Sequence, residues 1–147
     1  MDSFIKKIDI RWSDLDPNFH LRHSAYYDFG AYSRVCFLNE AGLTPAVLMQ
    51  HHIGPILFRE ECSFRKEIHF GDRVSINLQL EKSTPDFSRW TMKHQIIKDE
   101  NIICATITID GAWIDTNLRK LTAIPAVFYD KLLEMMPKTT NFILPGQ

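Results

Sequence analysis

The sequence predicts an α+β fold in which an antiparallel sheet of about five strands wraps one long buried helix. Three observations carry that prediction. Residues 24–41 run without proline, from Ser24 as a candidate N-cap to Gly42 just past the end. Four later segments alternate apolar and polar side chains with the period of two that a half-buried strand requires. Short turns join those segments, which suits antiparallel neighbours.

Each element has its own signal. Ile8 and Ile10 alternate with Lys7, Asp9 and Arg11, a first strand over residues 4–12. Asp14, Asp16, Pro17 and Asn18 then break any regular structure and make a loop. On the helix, Tyr26, Phe29, Tyr32, Val35, Cys36, Phe37 and Leu38 cover most of the circumference, so the helix reads as buried nearly all round. Mid-helix Gly30 and Ala31 allow another backbone to come close. Thr44 and Pro45 open a short second helical segment over Pro45 to His52.

From Gly54 onward Ile56, Phe58, Cys62, Phe64 and Ile68 share one face, with Glu60 as an exception on it. Val74, Ile76, Leu78 and Leu80 make the next strand. Trp90, Met92, His94 and Ile96 make another, which turns at Lys98–Asn101 into Ile103, Ala105, Ile107 and Ile109. Gly111 inside that last pattern suggests a bulge or a close backbone approach. Pro125 to Met136 reads as an amphipathic helix, and 137–147 as a loosely held tail.

The 147 residues are 45% hydrophobic and 24% charged, which suits one globular domain over 1–147 that needs no disulfide or metal to fold. Seventeen Lys+Arg against eighteen Asp+Glu, a net charge of -1, provide no overall field for nucleic acid or acidic membrane. Apolar runs such as Val35 to Leu38 are only four residues long, far short of the ~20 a membrane helix needs. Met1 to Trp12 lacks the apolar core of a secretory signal, and Cys36, Cys62 and Cys104 fit three reduced packing thiols. A cytoplasmic protein is expected on these grounds.

Four pieces, in order, resemble the hotdog-fold acyl thioesterases, in the branch of the 4-hydroxybenzoyl-CoA thioesterases and small bacterial acyl-CoA thioesterases. The first is Arg11-Trp12-Ser13-Asp14-Leu15-Asp16, and the second is Asp16-Pro17-Asn18-Phe19-His20 ahead of the helix. The third runs from Phe64 to Gly71-Asp72-Arg73-Val74, and the fourth is Arg119 to Pro125. The chain carries Arg22, His23 and Ser24 where many relatives have two asparagines and an alanine. The resemblance implies a hotdog fold and hydrolysis of an acyl-CoA or acyl-carrier-protein thioester, with coenzyme A as part of the substrate and no cofactor. It also implies a homodimer or homotetramer with the site between subunits.

Thioester hydrolysis needs a nucleophile or general base, and donors for the carbonyl oxygen as it gains charge. By resemblance Asp16 takes the first role, as nucleophile through an anhydride or as base on water. The helix-start amide, a seven-residue step on at His23, takes the second. First-turn amides are unpaired and the helix dipole favours an anion there. Asp16 is otherwise a turn residue, and His20 either orients it or is a structural donor. Asp14 is the structural acid, accepting loop hydrogen bonds or pairing with Arg11.

Glu60 is a second acid near the pocket, or else is paired or sits where the strand bulges. Tyr26, Phe58 and Phe64 are candidate substrate walls, though aromatic residues are core first. His94 reads as a core histidine with one partner, or else as a wall of the acyl tunnel. The pairs His20 with His23 and His51 with His52 lack the ligand spacing of a metal site, and none is expected. Arg59, Arg65, Lys66, Arg89 and Lys93 fit a solvated sheet face. No serine-hydrolase elbow or phosphate loop is present in the sequence. Two rivals remain, a noncatalytic acyl-CoA binding protein and a hydratase on the same fold. The hydratase motif places Asn before Pro, whereas Pro17 precedes Asn18 here.

Overall fold

The computed structural model describes residues 3–144. The elements are β1 (Ile5–Ile8), a 3-10 turn (Trp12–Asp14), α1 (Ala25–Glu40), α2 (Pro45–Gln50), β2 (Ile53–Phe64), β3 (Val74–Asn77), β4 (Gln79–Ser83), β5 (Arg89–Lys98), β6 (Ile102–Asp115), β7 (Lys120–Thr122), α3 (Ala126–Met135) and β8 (Lys138–Ile143). All strands belong to one sheet. β1 pairs with β3, while β3 and β4 lie end to end along β5; β5 pairs with β6, and β6 with β2. Apart from β8, which joins β4 in parallel, these pairings are antiparallel. One helix on one curved antiparallel sheet is the hotdog arrangement.

α1 ends where expected. Gly42 at φ 87 takes the left-handed turn that side chains disfavour, and Leu43 N–H donates to Leu38 O at 2.8 Å. Thr44 caps α2, its hydroxyl accepting from Val47 N–H at 3.2 Å. The core lies between α1 and the sheet, where Phe37 meets Phe4 edge to face at 5.2 Å under Ile76, Leu78, Ile96, Ile107 and Ile109. Each fully buried aliphatic side chain contributes about 1.5–3 kcal/mol.

Several expectations are corrected. The first strand stops at Ile8, because Trp12–Asp14 turns the chain. The strand through Val74 and Leu80 is broken at Leu78, whose N–H donates to Phe4 O instead of continuing the ladder to β5. The tail expected to be loose forms β8 over Lys138–Ile143 along the open edge of β4; residues 145–147 lie outside the described residues. The helix is not buried all round: Tyr32 and Val35 are 54% and 56% exposed in the single chain.

β2 carries the main change of phase. Its register to β6 shifts between Leu57 and Arg59, so Phe58 is an extra, unpaired residue. Before the bulge Ile53, Pro55 and Leu57 face α1; after it Glu60, Cys62 and Phe64 do. The period of two was therefore right on each side of Phe58 and wrong across it. The bulge lies opposite Gly111, where a Cβ would come within 2.2 Å of the Trp90 ring and 2.6 Å of Ile56 O. The close approach anticipated at Gly111 is thus the Trp90 ring, and the bulge belongs to the facing strand.

Candidate active site

The loop before α1 is a small built structure. Asp14, 1% exposed, accepts from Arg11 N at 2.9 Å, Nη2 at 2.9 Å and Nε at 3.3 Å, with Arg22 Nη2 at 3.9 Å. The Arg11 hydrogen bonds hold its carboxyl below the ordinary value. Asp14 is therefore the structural acid. Across the loop, Leu15 bridges to Leu21 and Arg22 N–H donates to Asp14 O at 2.8 Å, which closes a tight turn over Asp16 to His20.

Within that turn Asp16 Oδ1 accepts from Asn18 N–H at 2.9 Å and His20 N–H at 3.1 Å. One carboxylate oxygen is thus anchored by amides. No hydrogen bond among the described residues engages Oδ2. It is the backbone of His20, and not its ring, that positions Asp16. The His20 ring turns instead toward Glu67 (Nε2 to Oε2, 3.5 Å) and packs edge on against His69 at 4.6 Å.

Ser24 occupies the N-cap position, but its hydroxyl accepts from the Arg22 guanidinium and caps no helix amide. Among the described residues the His23 N–H has no hydrogen-bond acceptor. His23 thus lies one residue ahead of the N-cap rather than in the first turn of α1, and its free amide points from the turn that leads into the helix, where an anion is favoured by the dipole.

These groups line one open cavity of about 310 Å³. Asp16, His20, His23, Tyr26 and Phe64 all reach it, so five of the seven residues singled out from sequence converge. Tyr26 is 3% exposed and meets Phe64 edge to face at 4.9 Å; burial pushes its phenol up to about 12, so it stays neutral. Phe58 and Glu60 are not brought to this cavity. Phe58 stands on the outer sheet face beside Lys82 and Arg89, turned there by the bulge. Glu60 lies further along the α1–β2 groove, 3.8 Å from Arg34.

Four residues at or beside the cavity, Arg65, Lys66, Glu67 and His69, were missed or left as solvated face. The first three line the cavity, and His69 stands beside it because it makes an isolated bridge to His20 outside the strands. That long-range pairing leaves no local mark in the sequence. His20, Glu67 and His69 bring one ligand atom each within 4.8 Å of one another, a set able to hold a metal ion. His94 is a buried histidine with two partners. An arginine can only donate, so Nε2 accepts from Arg34 Nη1 at 2.9 Å and Nδ1 carries the proton given to Asn77 O at 2.7 Å. Burial lowers its pKa to about 3, which keeps it neutral.

Comparison with known proteins places this geometry in context. A family model described as the thioesterase-like superfamily matches residues 10–132. No curated protein matches the chain. Among solved structures, a hypothetical protein from Staphylococcus aureus in complex with CoA superimposes with a TM-score of 0.85 at 17% identity, over 94% of this chain and 88% of that one. A DHNA-CoA thioesterase from Staphylococcus aureus gives 0.77 at 18%, over 88% and 86%. A 1,4-dihydroxy-2-naphthoyl-CoA thioesterase from Synechocystis gives 0.79 at 16%, over 90% and 97%. At such identities the likeness is one of fold. No described helix is long and apolar enough to cross a membrane.

Proposed function

The chain belongs to the thioesterase-like superfamily, and from that premise we propose that it hydrolyses an acyl-CoA thioester with Asp16 as nucleophile or general base and the His23 amide as oxyanion donor. The observation that supports the reading is that Asp16 and His23, whose amide is unpaired and lies one residue ahead of the α1 N-cap, line one cavity. A carboxylate held by two amides on one oxygen keeps the other free to attack the acyl carbon or to take a proton from water. The His23 N–H and the helix dipole then meet the carbonyl oxygen as it becomes an oxyanion. His20 acts through its backbone, holding Asp16 in place.

Arg65 and Lys66 on the cavity wall suit the phosphates of coenzyme A. The solved relative with CoA bound supports a CoA ester over a carrier protein as the first substrate to test. The test is thiol release from a panel of short, long and aromatic acyl-CoAs. At least one ester is expected to release thiol with saturation. Binding of the esters without release from any of them would overturn the hydrolytic reading in favour of a noncatalytic binder.

We also infer a homodimer. The outer edge of β2 pairs with no described strand, and Val35, Leu57 and Phe64 beside it are 56%, 44% and 51% exposed. An unpaired edge flanked by apolar side chains suits a second copy of the chain. Sedimentation equilibrium is expected to give twice the 17.1 kDa chain mass, and a monomer at micromolar concentration would contradict it.

A further inference from the structure

An isolated bridge outside the strands sets two histidines side by side. It joins His20, in the turn before α1, to His69, in the segment past β2, and Leu21 N–H donates to Ile68 O at 2.7 Å next to it. The two rings pack edge on with centroids 4.6 Å apart. Both bring Nε2 to the same oxygen, Glu67 Oε2, at 3.5 Å from His20 and 3.7 Å from His69. These separations are too long for hydrogen bonds. They match instead the spacing of donors around one tetrahedral ion, since nitrogens and oxygens ~2.1 Å from zinc stand ~3.4 Å from one another.

The backbone fixes the donors in place. His69 N–H donates to Asp72 Oδ2 at 2.8 Å, Asp72 N–H donates to His69 O at 3.1 Å, and Lys98 Nζ donates to Glu67 O at 3.1 Å. The same Asp72 Oδ2 stands 3.8 Å from His69 Nδ1. A carboxylate beside the second ring nitrogen is the usual outer partner of a metal-bound imidazole. The side chains of His20, His69 and Glu67 are 30%, 48% and 67% exposed, so an ion reaches them from solvent. Val35, Leu57 and Phe64, the apolar residues set against a second copy of the chain, are not among the donors.

We propose that His20, Glu67 and His69 bind a divalent transition metal of the zinc class, through Nε2 of each imidazole and one Glu67 carboxylate oxygen. Two imidazoles and a carboxylate suit zinc, cobalt or nickel, whereas calcium and magnesium take oxygen ligands. Three protein ligands leave a position for water or for an anionic group. His20 and Glu67 also line the Asp16 cavity, so the ion stands on its wall. The local spacing of His20 and His23 predicts no metal because the donors come together across some fifty residues of sequence. The inference goes beyond the hydrolytic reading and holds whether or not the chain cleaves thioesters.

Titration of the full, untagged chain with zinc chloride, read by calorimetry, and with cobalt chloride, read by absorption, tests it without turnover. Saturable uptake of one ion per chain is expected, with visible cobalt bands and no thiolate charge-transfer band. Glu67→Gln and His69→Gln should each weaken zinc binding by ~10-fold or more. His51→Gln, in the other histidine pair, should leave it unchanged. No saturable uptake, a thiolate band from Cys36, Cys62 or Cys104, unchanged affinity in His69→Gln, or lost affinity in His51→Gln would overturn the proposal. The wild-type stoichiometry and cobalt spectrum decide by themselves if a variant does not fold. Thiol release, measured separately without added metal, shows whether the hydrolytic reading stands.

Discussion

Replacing Asp16 with asparagine is expected to lower the rate of thioester hydrolysis about a hundredfold or more, some 2.7 kcal/mol of transition-state stabilisation, with the melting temperature unchanged. The asparagine side-chain oxygen can still accept from Asn18 N–H and His20 N–H, so the turn survives. What is lost is the charge, and with it both nucleophilicity and basicity. Asp16→Ala should lose the rate and also roughly 1 kcal/mol of stability, since the two amides lose their acceptor. Steady-state kinetics and thermal melts on the two variants separate chemistry from loop structure. If Asp16→Asn hydrolyses as fast as the native chain, Asp16 is only a turn residue.

Gly111→Ala is expected to be the most damaging single-methyl change in the sheet. The new Cβ would lie 2.2 Å from Trp90 Cη2 and 2.6 Å from the backbone oxygen of Ile56. A ring end on an open surface swings aside, but Trp90 is 4% exposed and packed in the core, and the Ile56 oxygen belongs to the facing strand. Overpacking of this kind costs about 3 kcal/mol, a fall of roughly 10 °C in melting temperature for a domain of this size. A melt within about 2 °C of wild type would show that β2 and Trp90 yield easily, and that the bulge at Phe58 is not held by this contact.

The parts of the fold legible in the sequence are those governed by local period and local punctuation. Trp90, Met92, His94 and Ile96 face α1 as their alternation implies, and Gly42 ends α1 as its type implies. The Asp16 turn was legible for the same reason, being set by neighbours in the chain, whereas Asp16 and His23 as site residues came from the family resemblance. What escaped is set across the sheet. Phe58 changes face because β2 bulges opposite Gly111, and the signal within β2 was Glu60, the acid that breaks the apolar face just past the extra position. Glu67 and His69 join His20 through a bridge spanning some fifty residues of sequence. Tyr32 and Val35 look like core by composition, yet within one chain nothing covers them. β8 escaped because Thr139, Thr140 and Asn141 carry no apolar alternation; its place depends on the open edge of β4.

The most direct test of the account is hydrolysis in ¹⁸O-labelled water of the acyl-CoA that the chain cleaves fastest, with the free acid weighed by mass spectrometry and the thiol counted beside it. Acid carrying the label, formed in equal amount to free coenzyme A and dependent on the Asp16 carboxylate, is the predicted result. Thiol and labelled acid absent from every ester tried, or formed equally well by Asp16→Asn, would contradict it.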